Sequence, residues 1–352
     1  MRRRLTVLTM FEPSSDPQPE SLRRRALLRG MAAAALPLVG CAPAQSKDGL
    51  VVGGLPVTCN LTLPIACTAR AVSANAHGPG FKYRKFSGWP EVKESLMSGR
   101  IQAAYMLAPL VMDLVNARIP LKIVSLGHRS GASIMVHTDS PYRHFADLRG
   151  KRIAIPSRFA VDYLFLRKML AREGMDIKDV RIFEMAPPDM PAALYADAID
   201  AYCTGEPFGA AAQRKGYARP LALTRDEWPN YICCVLTVRE QLIDEQRPLV
   251  QDLVNHIQAA GTWLDSDPAH RMKAAQIASQ RSFFNQDPKV LRYVMENPPD
   301  RVTYGDLRMI PAEFDDLMHL SLQAGTVKQP IAFERYVDQS FVRAVQPVKV
   351  NI

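Results

Sequence analysis

The side chains best suited to metal ligation or covalent chemistry are six cysteines and seven histidines. The cysteines stand at 41, 59, 67, 203, 233 and 234. None of their spacings gives a C-x-x-C pair or a Cys/His zinc pattern. The sequence therefore predicts small buried residues rather than a metal centre. An oxidising compartment would permit a disulfide, but nothing in the spacing assigns one. The histidines, at 77, 128, 137, 144, 256, 270 and 319, form no H-E-x-x-H. There is no G-x-S-x-G elbow and no glycine-rich phosphate loop. An enzyme needs such a constellation; the chain is expected to be no enzyme and to carry no cofactor.

What remains is non-covalent recognition by polar turns at the ends of strands. Pro56-Val57-Thr58-Cys59-Asn60 follows the first apolar run, and Thr58 and Asn60 are its polar groups. Ile155-Pro156-Ser157-Arg158-Phe159 ends a strand and opens a helix, where free backbone N–H groups favour a negative atom. Ser157 could cap that helix or donate to a ligand. Arg158 could grip an anion bidentately, although loop arginines are commonly solvated. Gly205-Glu206-Pro207 follows another strand. Gly205 allows close backbone approach, Pro207 stiffens the turn, and Glu206 suits bridging better than anion contact. Trp89 after Gly88, Pro109 after Leu107-Ala108, and the Ser130-Gly131-Ala132 turn complete the candidates.

These turns need a scaffold of alternating strands and helices. Strands are expected at Leu50–Gly53, Phe81–Phe86, Ile101–Leu107, Leu121–Leu126 and Ser133–His137. Between them lie helical stretches at Leu63–Ala76, Glu91–Met97 and Leu110–Asn116. A second unit starts near Phe145: strands at Ile153–Ile155, Val180–Glu184 and Ile199–Cys203, helices at Val161–Glu173, Met190–Ala196 and Ala210–Lys215. The order argues a parallel-dominated α/β sheet. The strand Tyr231–Thr237 is expected to return to the first unit. Residues 239–352 read as mainly helical, with several helices opening at proline. A strand that rejoins the first unit implies two lobes joined by two crossings, with a cleft between them. The predicted layout is 49–138 with 228–352 as lobe 1 and its C-terminal helices, and 139–227 as lobe 2.

Residues 21–41 read as an address. Arg23, Arg24 and Arg25 precede an apolar stretch from Met31 to Val39, too short to span a bilayer but suited to a signal-peptide core. Arg24 to Arg29 resembles a twin-arginine signal. Leu38-Val39-Gly40-Cys41 resembles a lipobox in which Cys41 would be acylated, leaving 42–48 as a tether; cleavage after Ala44 is the alternative. Of the net +9 charge, four units fall within residues 1–41. The rest is dispersed, with no basic run or motif for nucleic acid.

The motifs together resemble a known family. Gly88-Trp89, the run Leu96 to Ala104, and Leu107-Ala108-Pro109 follow "W, L-x-x-G-x-I-D-A-A, L-x-P". Asp147 to Ala154 matches "D-L-K-G-K-K-I-A", and Ile199 to Pro207 matches "I-D-A-F-x-x-G-E-P". The sequence is similar to the periplasmic binding proteins of the nitrate, bicarbonate, sulfonate and taurine importers over about residues 49–265. The resemblance implies a two-lobe type II periplasmic binding fold that closes on a small ligand and delivers it to a membrane permease driven by a separate ATPase. It also implies that Trp89, the Ser130-Gly131 turn and the Gly205-Glu206-Pro207 segment face the cleft. Two departures stand out. Nitrate and bicarbonate binders carry an amide where this chain has Ser130-Gly131-Ala132, and a basic residue where it has Cys233-Cys234-Val235-Leu236. The expected ligand is therefore larger or more organic than a bare inorganic anion. Thiamine-precursor synthases share the fold but have a longer cysteine run. An extracytoplasmic ligand sensor is a further alternative.

Overall fold

The computed structural model describes residues 49–73, 80–229 and 231–352. The expected export signal, Cys41, the tether 42–48 and His77 lie outside the described residues. The first lobe begins with β1 (Leu50–Gly54), α1 (Thr62–Val72), β2 (Phe81–Lys85), α2 (Trp89–Met97), β3 (Ala103–Leu107), α3 (Ala108–Asn116) and β4 (Leu121–Leu126). The chain crosses through β5 (Arg129–Ser130) into β6 (Ala132–His137), β7 (Arg152–Ile155), α4 (Val161–Arg172), β8 (Arg181–Glu184), α5 (Met190–Tyr195), β9 (Ala201–Gly205), α6 (Phe208–Arg214) and β10 (Ala218–Leu223). It returns through α7 (Thr224–Glu227) to β11 (Cys234–Arg239). The remainder comprises α8 (Glu240–Ser266), α9 (Pro268–Ala278), α10 (Pro288–Glu296), β12 (Val302–Thr303), α11 (Pro311–Gln323), α12 (Phe333–Tyr336) and α13 (Ser340–Arg343).

Two five-stranded sheets result, ordered β2-β1-β3-β11-β4 and β10-β6-β9-β7-β8. Every residue of β3 is buried, as expected of a strand covered on both faces. The expectation of a parallel-dominated sheet is corrected here. β11 runs antiparallel to both β3 and β4, and β6 runs antiparallel to both β9 and β10. The parallel pairs are β1 with β2 and β3, and β7 with β8 and β9. The strands that follow each crossing enter the opposite sheet against its parallel run, which is how two crossings can join two βαβ units. The boundary also moves. β6 was expected in the first lobe, but it pairs with β9 and β10 in the second sheet. The first crossing thus falls at residues 127–131, before the apolar run rather than after it.

Proline and aspartate set the starts of the C-terminal helices. Pro268, Pro288 and Pro311 each occupy the first helical turn. Asp267 and Asp287 cap α9 and α10 through the amides of Ala269 and Lys289 at 2.7 and 2.8 Å. The long element α8 is two helical segments that meet at a kink at Gln246, two residues before Pro248, where the backbone leaves helical angles.

The C-terminal region also holds the first crossing. β5 pairs with β12, Ser130 opposite Val302. The buried Arg129 guanidinium donates to the Asp306 and Arg308 carbonyls at 2.8 and 2.9 Å and to Glu313 Oε2 at 2.9 Å. Ser130 and Gly131 both sit at positive φ, 59° and 90°. A Cβ on Gly131 would fall 2.0 Å from Val302 Cγ2, so this glycine is required twice, by its backbone angle and by the space β12 leaves. Gly131→Ala is expected to lower stability by roughly 1–3 kcal/mol. The urea midpoint measures it, and an unchanged midpoint would contradict the packing described.

Candidate interlobe site

The turn after β1 carries Thr58 and Asn60 into full burial. The Thr58 amide donates to the Glu206 carbonyl at 2.7 Å, and its hydroxyl donates to the same oxygen at 3.1 Å. Tyr304 closes the group from the C-terminal region, its hydroxyl donating to the Thr58 carbonyl at 3.0 Å. Asn60 Oδ1 accepts from the Leu55 amide at 3.1 Å, while its buried Nδ2 has no hydrogen-bond partner. Such an orphaned donor costs about 1–3 kcal/mol and marks a place where a polar acceptor would be welcome.

From the second lobe, β9 delivers Gly205, Glu206 and Pro207. The Glu206 carboxylate is fully buried and pairs with Arg301 at 2.9 Å. It also accepts from Ser133 Oγ at 3.2 Å and the Ala210 amide at 2.8 Å. The Glu206 amide donates to the Gly131 carbonyl at 2.8 Å, so one residue touches the first lobe, the crossing and the C-terminal region. The Ser130 amide in turn donates to the Tyr231 carbonyl on the return crossing at 3.0 Å. Thr58, Ser130, Gly131, Gly205 and Glu206 are thereby brought together.

The other candidates are placed elsewhere. Arg158 lies half-exposed, paired with Glu184 at 3.3 Å and stacked over the Tyr163 ring. Ser157 Oγ accepts from the Phe159 amide at 3.2 Å, which closes a local turn. The expectation that Ser157 caps α4 is corrected: the capping position is Ala160, because the turn takes three more residues before the helix starts. Phe159 is partly buried against the core. Trp89 opens α2 and is 4% exposed, packed in the first-lobe core. Pro109 sits in the first turn of α3.

Sequence spacing missed what lies beside Thr58. Cys59, His128 and Cys234 converge so that one ligand atom of each lies within 4.8 Å of the others, all buried. Cys233 Sγ is 3.8 Å from Cys234 Sγ. The Cys234 amide donates to His128 Nε2 at 3.3 Å, and Nδ1 has no hydrogen-bond partner. No pattern along the chain could reveal this, because the three residues come from a turn and from both crossings. Contact with Cys234 pulls the Cys59 thiol down against the opposing effect of burial, with His128 helping. Burial alone would depress His128, but the Cys59 thiolate beside it raises it well above the usual value. Arg301 was also missed, since a lone arginine in a loop carries no sequence signal.

The family model described as NMT1-like matches residues 44–279, more than half of the chain. The chain belongs to the NMT1-like family. A nitrate/nitrite binding protein NrtA of Nostoc sp. is 22% identical over 274 residues, covering 70% of this chain and 61% of that protein. This chain thus spans about three fifths of that relative's length. Among solved structures, the ligand binding component of an ABC-type import system from Staphylococcus aureus, with zinc bound, is 26% identical at a TM-score of 0.76, over 85% of this chain and 99% of that one. The alkanesulfonate-binding protein SsuA from Xanthomonas axonopodis pv. citri, bound to MOPS, shares the fold at a TM-score of 0.70 and 20% identity, over 83% and 99%. The likeness to these solved structures supports the two-lobe α/β fold.

Two predictions follow from buried charge in this NMT1-like chain. Arg301→Met leaves the Glu206 carboxylate without its partner and is expected to cost about 3–5 kcal/mol by urea unfolding, with much of that loss recovered when Glu206→Gln is added. Equal losses in the single and double variants would show that the pair does not matter as a pair. Asp162 is buried beside Tyr231, whose hydroxyl donates to Oδ1 at 3.2 Å. Burial, then the neighbouring Cys233 and Cys59, raise its carboxyl well above the usual 3.8. A carboxyl whose folded value lies above its unfolded value favours the folded state below the unfolded value. It weakens that state progressively as pH rises through the window between them. Asp162→Asn is therefore expected to match the parent at about pH 4 and to exceed it in stability at about pH 8. A variant less stable at the higher pH would contradict a raised Asp162 carboxyl.

Proposed function

We propose that this chain is the extracytoplasmic solute-binding subunit of an ABC importer, a binder rather than an enzyme. The observation that carries the reading is the meeting of the two lobes at Thr58 and Glu206, with Glu206 bonded to the first crossing at Gly131 and that crossing bonded to the second at Tyr231. Groups from both lobes line the contact, so a ligand seated there would favour the closed arrangement over an open one. The likeness to import-system binding components and to nitrate- and sulfonate-binding proteins supports the same reading. Residues 1–41 are read as an export signal, with Cys41 as the lipid-bearing residue that tethers the protein at the periplasmic membrane face. The partners are a membrane permease and its ATPase. Among the described residues no helix is long and apolar enough to cross a membrane.

The ligand we propose is a small organic molecule of the sulfonate or taurine class. Thr58, Asn60, Ser130 and Gly131 supply its polar contacts. Pro109, Ser157, Arg158, Phe159 and Trp89, set away from the Thr58–Glu206 contact, are read as reaching the ligand only in another lobe arrangement. Gly205, Glu206 and Pro207 shape the wall opposite. Support comes from the return strand, where Cys233 and Cys234 stand in place of a cation.

Thermal-shift measurements against nitrate, bicarbonate, taurine, alkanesulfonates, aromatic sulfonates and pyrimidine precursors test the proposal. A ligand that binds only the folded state raises Tm by mass action, by an amount equivalent to about 2.7 kcal/mol at a hundredfold excess over Kd. A saturable shift with a sulfonate is expected. A shift with nitrate alone would overturn the ligand class, and no shift with any compound would overturn the transport reading.

A further inference from the structure

The Cys59–His128–Cys234 cluster is not used by the solute-binding reading. We propose that it is a binding site for a thiophilic divalent metal ion of the zinc type, held by Cys59 Sγ, Cys234 Sγ and one His128 ring nitrogen. The ligand atoms already lie within 4.8 Å of one another. Around a tetrahedral zinc, with metal–sulfur near 2.3 Å and metal–nitrogen near 2.0 Å, such atoms stand about 3.4–3.8 Å apart. A contraction of at most about 1.4 Å completes the geometry.

Three observations favour a metal over ordinary core packing. First, the imidazole is fully buried and one of its nitrogens has no hydrogen-bond partner. Leaving such a group unsatisfied is costly, and ligation or an ordered second-shell bond removes the cost. Second, the donor set is soft. Two thiolates and an imidazole suit zinc-type ions, and two thiolates neutralise a divalent charge, which a buried position demands. Third, the contrast with Cys67 is internal. That thiol is also buried, but burial raises it to about 12, and among the described residues it belongs to no such three-ligand cluster.

The ligands also occupy telling positions. Cys59 sits on the turn that meets Glu206, His128 on the first crossing, and Cys234 at the end of the second. Three protein ligands leave one coordination position, and Cys233 Sγ lies 3.8 Å from Cys234 Sγ. A Cβ on Gly205 would stand 3.0 Å from Cys59 Sγ, so the second lobe closes over this corner of the site. Binding there would pin the first lobe to both crossings.

The test is titration of the reduced full-length protein with Zn2+ against a chromophoric chelator, and with Co2+ as a spectroscopic stand-in. The expected result is one ion per chain, a thiolate-to-cobalt charge-transfer band, and a Zn2+-dependent rise in Tm. Cys59→Ser, Cys234→Ser and His128→Ala should each weaken binding on the order of a hundredfold, while Cys67→Ser leaves it unchanged. Should those variants fail to fold, X-ray absorption on the zinc-loaded parent decides, with sulfur in the first shell expected. An all-oxygen/nitrogen shell would overturn the proposal. So would affinity unchanged in the cluster variants, or a Cys59–Cys234 disulfide with no ion taken up after reduction.

Discussion

The buried Glu206 carboxylate is the constraint around which the two lobes are arranged. Moving a carboxylate out of water costs several kcal/mol, and the structure offsets this from three directions at once. Arg301 comes from the loop before β12, Ser133 from β6, and the Ala210 amide from the first turn of α6. Each partner belongs to a different element, so satisfying one side chain fixes the relative placement of all three. The residue's own backbone then points its carbonyl at Thr58 and its amide at Gly131. The lobes therefore meet through main-chain hydrogen bonds whose direction is set by a side chain on the opposite side of the residue.

The crossings follow from the same geometry. Ser130 and Gly131 adopt positive φ where the chain leaves β4 and enters the second sheet. Residues of this kind absorb large dihedral changes when lobes move. Here they are not free to do so independently, because β5 is paired with β12 and Arg129 binds the segment around Asp306, Arg308 and Glu313. A change in lobe angle must carry the C-terminal region with it. The elements after β11 are thus tied into the first crossing rather than appended to the first lobe.

Much of the scaffold was legible in the sequence because it rests on local rules. Strands such as Leu121–Leu126 and helices such as Pro288–Glu296 follow from periodicity and from proline and aspartate at helix starts. What local rules do not encode is which sheet a strand joins. The run Ala132–His137 looks the same from either lobe, and only its pairing with β9 and β10 decides. The short β10 was not foreseen, since Ala218–Leu223 carries a proline and pairs through a bulge. At the site, Thr58 and Glu206 were visible as polar turns after strands. Arg301 and the thiol–imidazole cluster were not, because their significance arises from contacts between residues far apart in the chain.

The electrostatics of the interlobe centre bear on what can bind there. The described groups that converge on it include the paired Glu206 carboxylate, the Asp162 carboxyl, whose charged form burial disfavours, the Cys59, Cys233 and Cys234 thiols, and the His128 imidazole. Both buried arginines nearby are engaged, Arg301 with Glu206 and Arg129 with Glu313. No uncommitted cation among the described residues at this centre awaits an inorganic anion, and a bare anion would face Glu206 without a counter-charge. A ligand that spreads its charge over an organic frame loses less on desolvation and can use the unpartnered Asn60 Nδ2 donor. A divalent ion held by Cys59, His128 and Cys234 would be neutralised by its two thiolates, so the start of the return strand would gain no net positive charge from it. The sulfur-rich start of β11 and the absence of a basic residue there are then two sides of a single arrangement.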